Sequence, residues 1–172
     1  QQDRLFLACY SRALALAGAK MLNYDDSDLM LQLANQVILS ERNIHNFYFH
    51  EYRVPDTDIK GPACLAYCSH ILQRAALGTQ AEALAALLVS LWIDREVGNH
   101  VRRYADLDNP YFRWIESSSG EAYSMLVDKA VELADLKASD AGEEETQKIF
   151  ESFIISGRYE YCFWDDAHNQ QA

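Results

Sequence analysis

Turn-forming residues are scarce in this chain. It has seven glycines and three prolines in 172 residues, about half the usual combined share of roughly 12%. Glycine supplies the backbone conformations of tight turns, and proline interrupts helices. A chain with so few of either has few places to reverse and is predicted to be nearly all helix. No alternating apolar–polar run marks a strand, and no internal repeat appears. The breakers that do occur divide the sequence into about seven helices, over residues 3–22, 28–50, 63–76, 80–104, 111–116, 121–137 and 143–167. Asp26 or Ser27 reads as the N-cap of the second. Thr79 and Glu82 form the capping box that opens the fourth, and 117–120 reads as a loop. The expected architecture is an all-α bundle forming one domain over residues 1–172.

Charge narrows the function. The net charge is −11 and the only adjacent basic pair is Arg102-Arg103, so nucleic acid is not an expected partner. No apolar run approaches the roughly 20 residues of a membrane span. Cys9, Cys64, Cys68 and Cys162 form no Cys-x-x-Cys pair. They read as buried thiols of a reduced, cytoplasmic protein. Glu41 and His45, one helical turn apart, read as a hydrogen-bonded pair; nothing has metal-ligand spacing, and no cofactor motif is present.

In an all-helical chain the informative residues are polar groups on apolar faces. Glu160 has Phe153, Gly157, Phe163 and Trp164 as its face neighbours. A carboxyl in that stripe loses solvation and its pKa rises, which makes a general acid. The alternative is a buried ion pair with an arginine such as Arg158. Asp94 stands among Leu87, Ser90, Leu91, Val97 and Val101; it either faces the interior with Ser90 or lies at the wet edge marked by Arg95 and Glu96. Asp3, ahead of Phe6 and Tyr10, reads on local evidence as an N-cap or first-turn acid. The second half is dense in aromatic residues, Trp92 among them. Together with Tyr67 and the acids they suit a pocket for a flat heteroaromatic ring.

These residues fall in a familiar order. The run 85–98, centred on Leu87-Leu88-Val89-Ser90-Leu91-Trp92-Ile93-Asp94, resembles the central motif of the TenA (thiaminase II) family. So does Asn109-Pro110-Tyr111-Phe112-Arg113-Trp114-Ile115 after it. Tyr159-Glu160-Tyr161-Cys162-Phe163-Trp164 resembles the family's C-terminal signature, and Gln2-Asp3, Glu41-x-x-x-His45 and Tyr67-x-Ser69-His70 keep the family order. The resemblance implies a haem-oxygenase-like helical fold whose first segment is missing here. It also implies a cytoplasmic homo-oligomer, tetramer or dimer, and hydrolysis of a pyrimidine at its exocyclic methylene in thiamine salvage. It gives Asp3 the pyrimidine's amino group and ring nitrogen, Glu160 a proton on the pyrimidine or leaving group, and Tyr67 a place in the site wall.

The chain also departs from that pattern. Ser90 stands where the family carries its nucleophilic cysteine, with Val89 in place of the preceding proline. Asp94, Ser118 and Phe6 each stand where a tyrosine is common. A serine hydroxyl without a base is a far poorer nucleophile than a thiolate. The expectation is therefore a Cys-less aminopyrimidine hydrolase: Glu160 as general acid/base, Asp94 and Ser90 holding an attacking water, and Asp3, Phe6, Tyr67, Trp92 and Ser118 binding substrate, with no metal or cofactor. The alternatives are an inactive relative that binds a pyrimidine or other heteroaromatic, and a structural interaction protein whose pocket is filled by Phe6, Leu91 and Trp164.

Overall fold

The computed structural model describes residues 1–169, the side chain of Glu41 excepted. Among them the helices are α1 (Gln2–Lys20), α2 (Tyr24–Ser40), a π turn (Glu41–His45), α3 (Asn46–Glu51), α4 (Pro62–Leu77), α5 (Gln80–Arg102), α6 (Phe112–Ser119), α7 (Glu121–Ser139) and α8 (Glu143–Asn169). The backbone stays α-helical on both sides of the π turn. Residues 24–51 are thus one rod, and the expected seven helices are recovered. No described helix is long and apolar enough to cross a membrane.

Local chemistry sets the boundaries. Asn23 caps α2, its Oδ1 accepting from the amides of Asp25 at 2.7 Å and Asp26 at 3.4 Å. The helix therefore starts one turn before the Asp26/Ser27 cap read from sequence. Thr79 caps α5 as expected, accepting from Glu82 N at 3.2 Å, while the Glu82 carboxylate turns to Arg74 at 3.1 Å. Residues 117–119 are helix, not loop: Ser117 Oγ bonds Trp114 O at 2.8 Å and Ser119 Oγ bonds Ile115 O at 2.6 Å. Serines that bond back into the preceding turn are compatible with helix.

Helix α5 runs through the centre. Residues 81–89 are buried without a break, the mark of a helix surrounded by protein. It packs against α6, α7 and α8, while α1 packs against α2 and α4. Gly98 lets α6 approach closely: a Cβ there would lie 2.8 Å from the backbone of Ser118. That approach brings Ser118 within reach of Asp94. Cys9, Cys64 and Cys68 are buried thiols, as expected, but Cys162 is exposed; α8 turns it outward, next to Tyr161 at 71% exposed.

Candidate active site

A cavity of about 350 Å³ opens between the two halves of the bundle. Helix α1 contributes Asp3, Phe6, Leu7 and Tyr10, which share one face at helical spacing. Helix α5 contributes Ser90, Leu91 and Asp94; α6 gives Trp114, Ser117 and Ser118; α7 gives Tyr123; α8 gives Glu160, Phe163 and Trp164. The remaining wall is the C-terminal half of α2 and the π turn, which presents Asn43, Ile44 and His45. A π turn inserts an extra residue into the helical repeat, and such insertions are frequent at functional sites.

Glu160 is 6% exposed. Its Oε1 accepts from the indole N–H of Trp164 at 2.8 Å, and its Oε2 is buried with no hydrogen-bond partner among the described residues. Burial pushes the carboxyl above the ordinary glutamate range, against the Trp164 bond and the nearby hydroxyls of Tyr67 and Ser90. No basic side chain among the described residues pairs with it, so the ion-pair alternative with Arg158 does not occur. Asp94 faces the interior rather than the wet edge. Burial lifts it to about 6, against a 3.1 Å bond from the Ser118 hydroxyl. Two carboxyls whose pKa values burial raises thus face one hollow.

The aromatic wall is layered. Phe6 is buried, with its ring centroid 5.4 Å from Tyr10, 4.7 Å from Tyr67 and 5.4 Å from Phe163. The Tyr10 hydroxyl donates to Leu87 O at 2.5 Å. Burial, and then the neighbouring Glu160 and Asp94, raise its phenol well above the ordinary value, so it stays neutral. Phe6, Leu91 and Trp164 line the hollow rather than fill it, which removes the interaction-protein alternative in the form in which they plug it.

Six of the eight sequence-predicted site residues, Asp3, Phe6, Ser90, Asp94, Ser118 and Glu160, reach the cavity. Tyr67 does not line it: it is fully buried in the layer behind Phe6, and its hydroxyl is another buried atom without a partner. Its influence on the cavity passes through Glu160, whose charge raises the phenol after burial does. Trp92 is a clear correction. It is 40% exposed and sits 6.4 Å from Phe153 on the outer side of α5 and α8. Two positions after Ser90 on a helix is about 200° of rotation, so Ser90 and Trp92 cannot face the same way. Asp3 is a first-turn acid of α1 rather than its N-cap: its Oδ2 meets His45 Nε2 at 2.9 Å, and Gln1 takes the cap position without a side-chain bond. The Glu41 partner expected for His45 lies outside the described side chains. Asn43, Ile44 and Ser117 escape sequence reasoning, whereas Trp114 and Tyr123 belong to the second-half aromatics read there as a pocket wall and His45 to the Glu41-x-x-x-His45 motif.

A helical bundle enclosing one hollow, walled by rings and edged by buried carboxyls and hydroxyls, defines a class: a helical protein with a site for a small, flat, polar molecule. The chain matches the TENA/THI-4/PQQC family over residues 1–170 and belongs to it. It is 27% identical over 175 residues to an aminopyrimidine aminohydrolase of Bacillus subtilis, covering 99% of this chain and 74% of that protein. It is also 27% identical over 177 residues to an aminopyrimidine aminohydrolase of Helicobacter pylori, covering 97% and 80%. A TenA homologue of Pyrococcus furiosus superposes with a TM-score of 0.87 at 22% identity, covering 95% of this chain and 79% of that one. The fold is thus the TenA fold, all-α as expected.

Proposed function

We propose that this chain hydrolyses the exocyclic C–N bond of an aminomethyl-pyrimidine, a thiamine-salvage reaction. The observation that carries the reading is Glu160, a carboxyl raised by burial and with one unpartnered oxygen beside a ring-sized hollow. The names of the relatives at 27% identity support the substrate class.

The aminopyrimidine lies against Phe6, with its ring amino group toward the Asp3 carboxylate. Glu160, protonated, donates to the departing nitrogen. The nucleophile is a water held by Ser90 and Asp94, four residues apart and therefore on one face of α5. As the water oxygen bonds to the methylene carbon, the C–N bond breaks and the nitrogen leaves as ammonia with the proton from Glu160. Asp94 takes the proton lost by the water. The net change is aminomethyl-pyrimidine plus water to pyrimidine alcohol plus ammonia. Two carboxyls held in different environments divide the acid and base roles. Ser90 orients the water and does not attack.

The test is ammonia release from the aminomethyl-pyrimidine by the purified protein and by its Glu160→Gln variant. Loss of general acid catalysis lowers the rate by about 10²–10⁴-fold. Equal rates overturn the proposal. The replacement of a thiol nucleophile by Ser90 favours one other reading, a non-catalytic binder, which predicts tight binding of the pyrimidine alcohol and no ammonia from the unmutated protein.

A further inference from the structure

The charge of the cavity wall is one-sided. Among the described residues it carries Asp3, Asp94 and Glu160 and no lysine or arginine. Three arginines on the flanking helices are engaged elsewhere. Arg95 pairs with Asp128 at 2.5 Å and Glu96 at 3.3 Å. Arg113 lies over the Phe47 ring at 3.9 Å, and Arg4 pairs with Asp56 at 2.6 Å. His45 also lines the cavity, with Nε2 on Asp3 and Nδ1 buried without a partner. The three carboxyls also feel one another: Asp3 and Glu160 each push Asp94 upward, and Asp3 pushes Glu160 upward. Three acids alone are only a cluster. Here they surround a hollow of about 350 Å³, and one of them, Glu160, is 6% exposed and keeps Oε2 buried without a partner. A built void whose buried carboxyl has only the neutral hydroxyls of Tyr67 and Ser90 near it, besides the Trp164 N–H, suits a donor that brings positive charge.

We propose that this cavity selects its ligand by charge, taking a nitrogen heteroaromatic that carries positive charge and rejecting its anionic, phosphorylated form, and that Asp94 sets the selection. This rests on reading the cavity as a pyrimidine site. Asp94 is suited to the task because Ser118 fixes it from α6, leaving it to act on the ligand by its charge. Asp3 is half-exposed, so solvent screens it more. A carboxylate about 6 Å from a unit charge, at an effective dielectric constant of about 20, changes affinity about a hundredfold. Solvent entering through the cavity mouth reduces that toward about tenfold.

Calorimetric titration of the full chain with three ligands on one aminopyrimidine ring tests this. They carry a 2-aminoethyl group (a cation), a hydroxymethyl group (neutral) and the phosphate monoester of that alcohol (an anion). The aminoethyl C–N bond is one carbon beyond the ring methylene, so the proposed hydrolysis does not consume it. The unmutated protein binds the cation at least about a hundredfold more tightly than the phosphate ester at low salt. Asp94→Asn shrinks that ratio about tenfold or more. A ratio cancels any general damage to the site. As a check without mutation, added salt weakens the cation and leaves the alcohol unchanged. Equal affinities in the unmutated protein, or a ratio unchanged in Asp94→Asn, overturn the charge selection and leave the pyrimidine reading standing. Failure of the alcohol to bind the unmutated protein overturns the pyrimidine reading itself, and the selection with it.

Discussion

Gly98 and Gly157 both sit inside long helices, and replacing each by alanine separates two effects that usually come mixed. On propensity alone either substitution stabilises its helix by about 1 kcal/mol. At Gly157 nothing lies within 4 Å of the added methyl, so the gain is kept. At Gly98 the methyl would meet Ser118 Cβ at 2.7 Å and the Ser118 carbonyl carbon and oxygen at 2.8 Å. Ordinary carbon contacts are about 3.5–4.0 Å, so α6 has to retreat by most of an ångström. Overpacking of this kind costs about 1–3 kcal/mol. Gly98→Ala therefore loses about 1 kcal/mol net, and the two variants differ by about 2 kcal/mol. For a chain of this size that is about 4–8 °C between their melting temperatures. Thermal melts followed by circular dichroism at one pH read it directly. The retreat of α6 also carries Ser118 away from Asp94, so Gly98→Ala lowers ammonia release while Gly157→Ala does not. If Gly98→Ala raises the melting temperature as much as Gly157→Ala does, the close approach of α5 and α6 is refuted.

Other substitutions probe the site. Asp94 rises from an ordinary 3.8 to about 6, so its ionisation works against folding. A raised carboxyl favours the folded state below the unfolded pKa, and that contribution is lost as pH climbs through the folded one. Asp94→Asn is therefore neutral below about pH 4 and stabilising by up to about 3 kcal/mol above pH 6; a melting-temperature difference that does not grow with pH contradicts this. Trp164→Phe removes the donor to Glu160 Oε1, a bond that favours the charged carboxylate. Glu160 then rises further, and the limb of the pH–rate profile that requires it protonated moves to higher pH; a fixed or lowered limb speaks against its acid role. Tyr10→Phe deletes the buried bond to Leu87 O and costs about 1 kcal/mol by urea denaturation, with no loss expected if the hydroxyl is solvated.

The helices were legible in the sequence because their ends are written in a few residues, Thr79 and Pro62 among them. The boundaries that shifted turned on side-chain bonds that composition does not rank: Asn23 capping ahead of Asp26, and Ser117 and Ser119 bonding backward into α6. Glu160 was legible because its aromatic stripe lies within one helix. Whether Asp94 faced inward was not, because the answer depends on α6 closing over Gly98 to deliver Ser118. The Asp3–His45 pair joins residues 42 positions apart, and only the packing of α1 on the end of α2 brings them together. The π turn has no signature in spacing, and with it the contribution of Asn43 and Ile44 to the wall was invisible, although His45 stood in a motif. Trp92 belongs to the motif but not to the site: two residues from Ser90 on a helix, it faces away.

The reaction proposed for this cavity requires that Glu160 titrate above the ordinary glutamate range and be reached there by the ligand. Carbon-13 NMR of the protein labelled at the glutamate side-chain carboxyls, with the Glu160 signal assigned by its loss in Glu160→Gln, measures this. The account predicts a titration midpoint clearly above the ordinary glutamate value of about 4.3, displaced when the pyrimidine alcohol is added. A midpoint at the ordinary value, or one that the ligand leaves untouched, contradicts it.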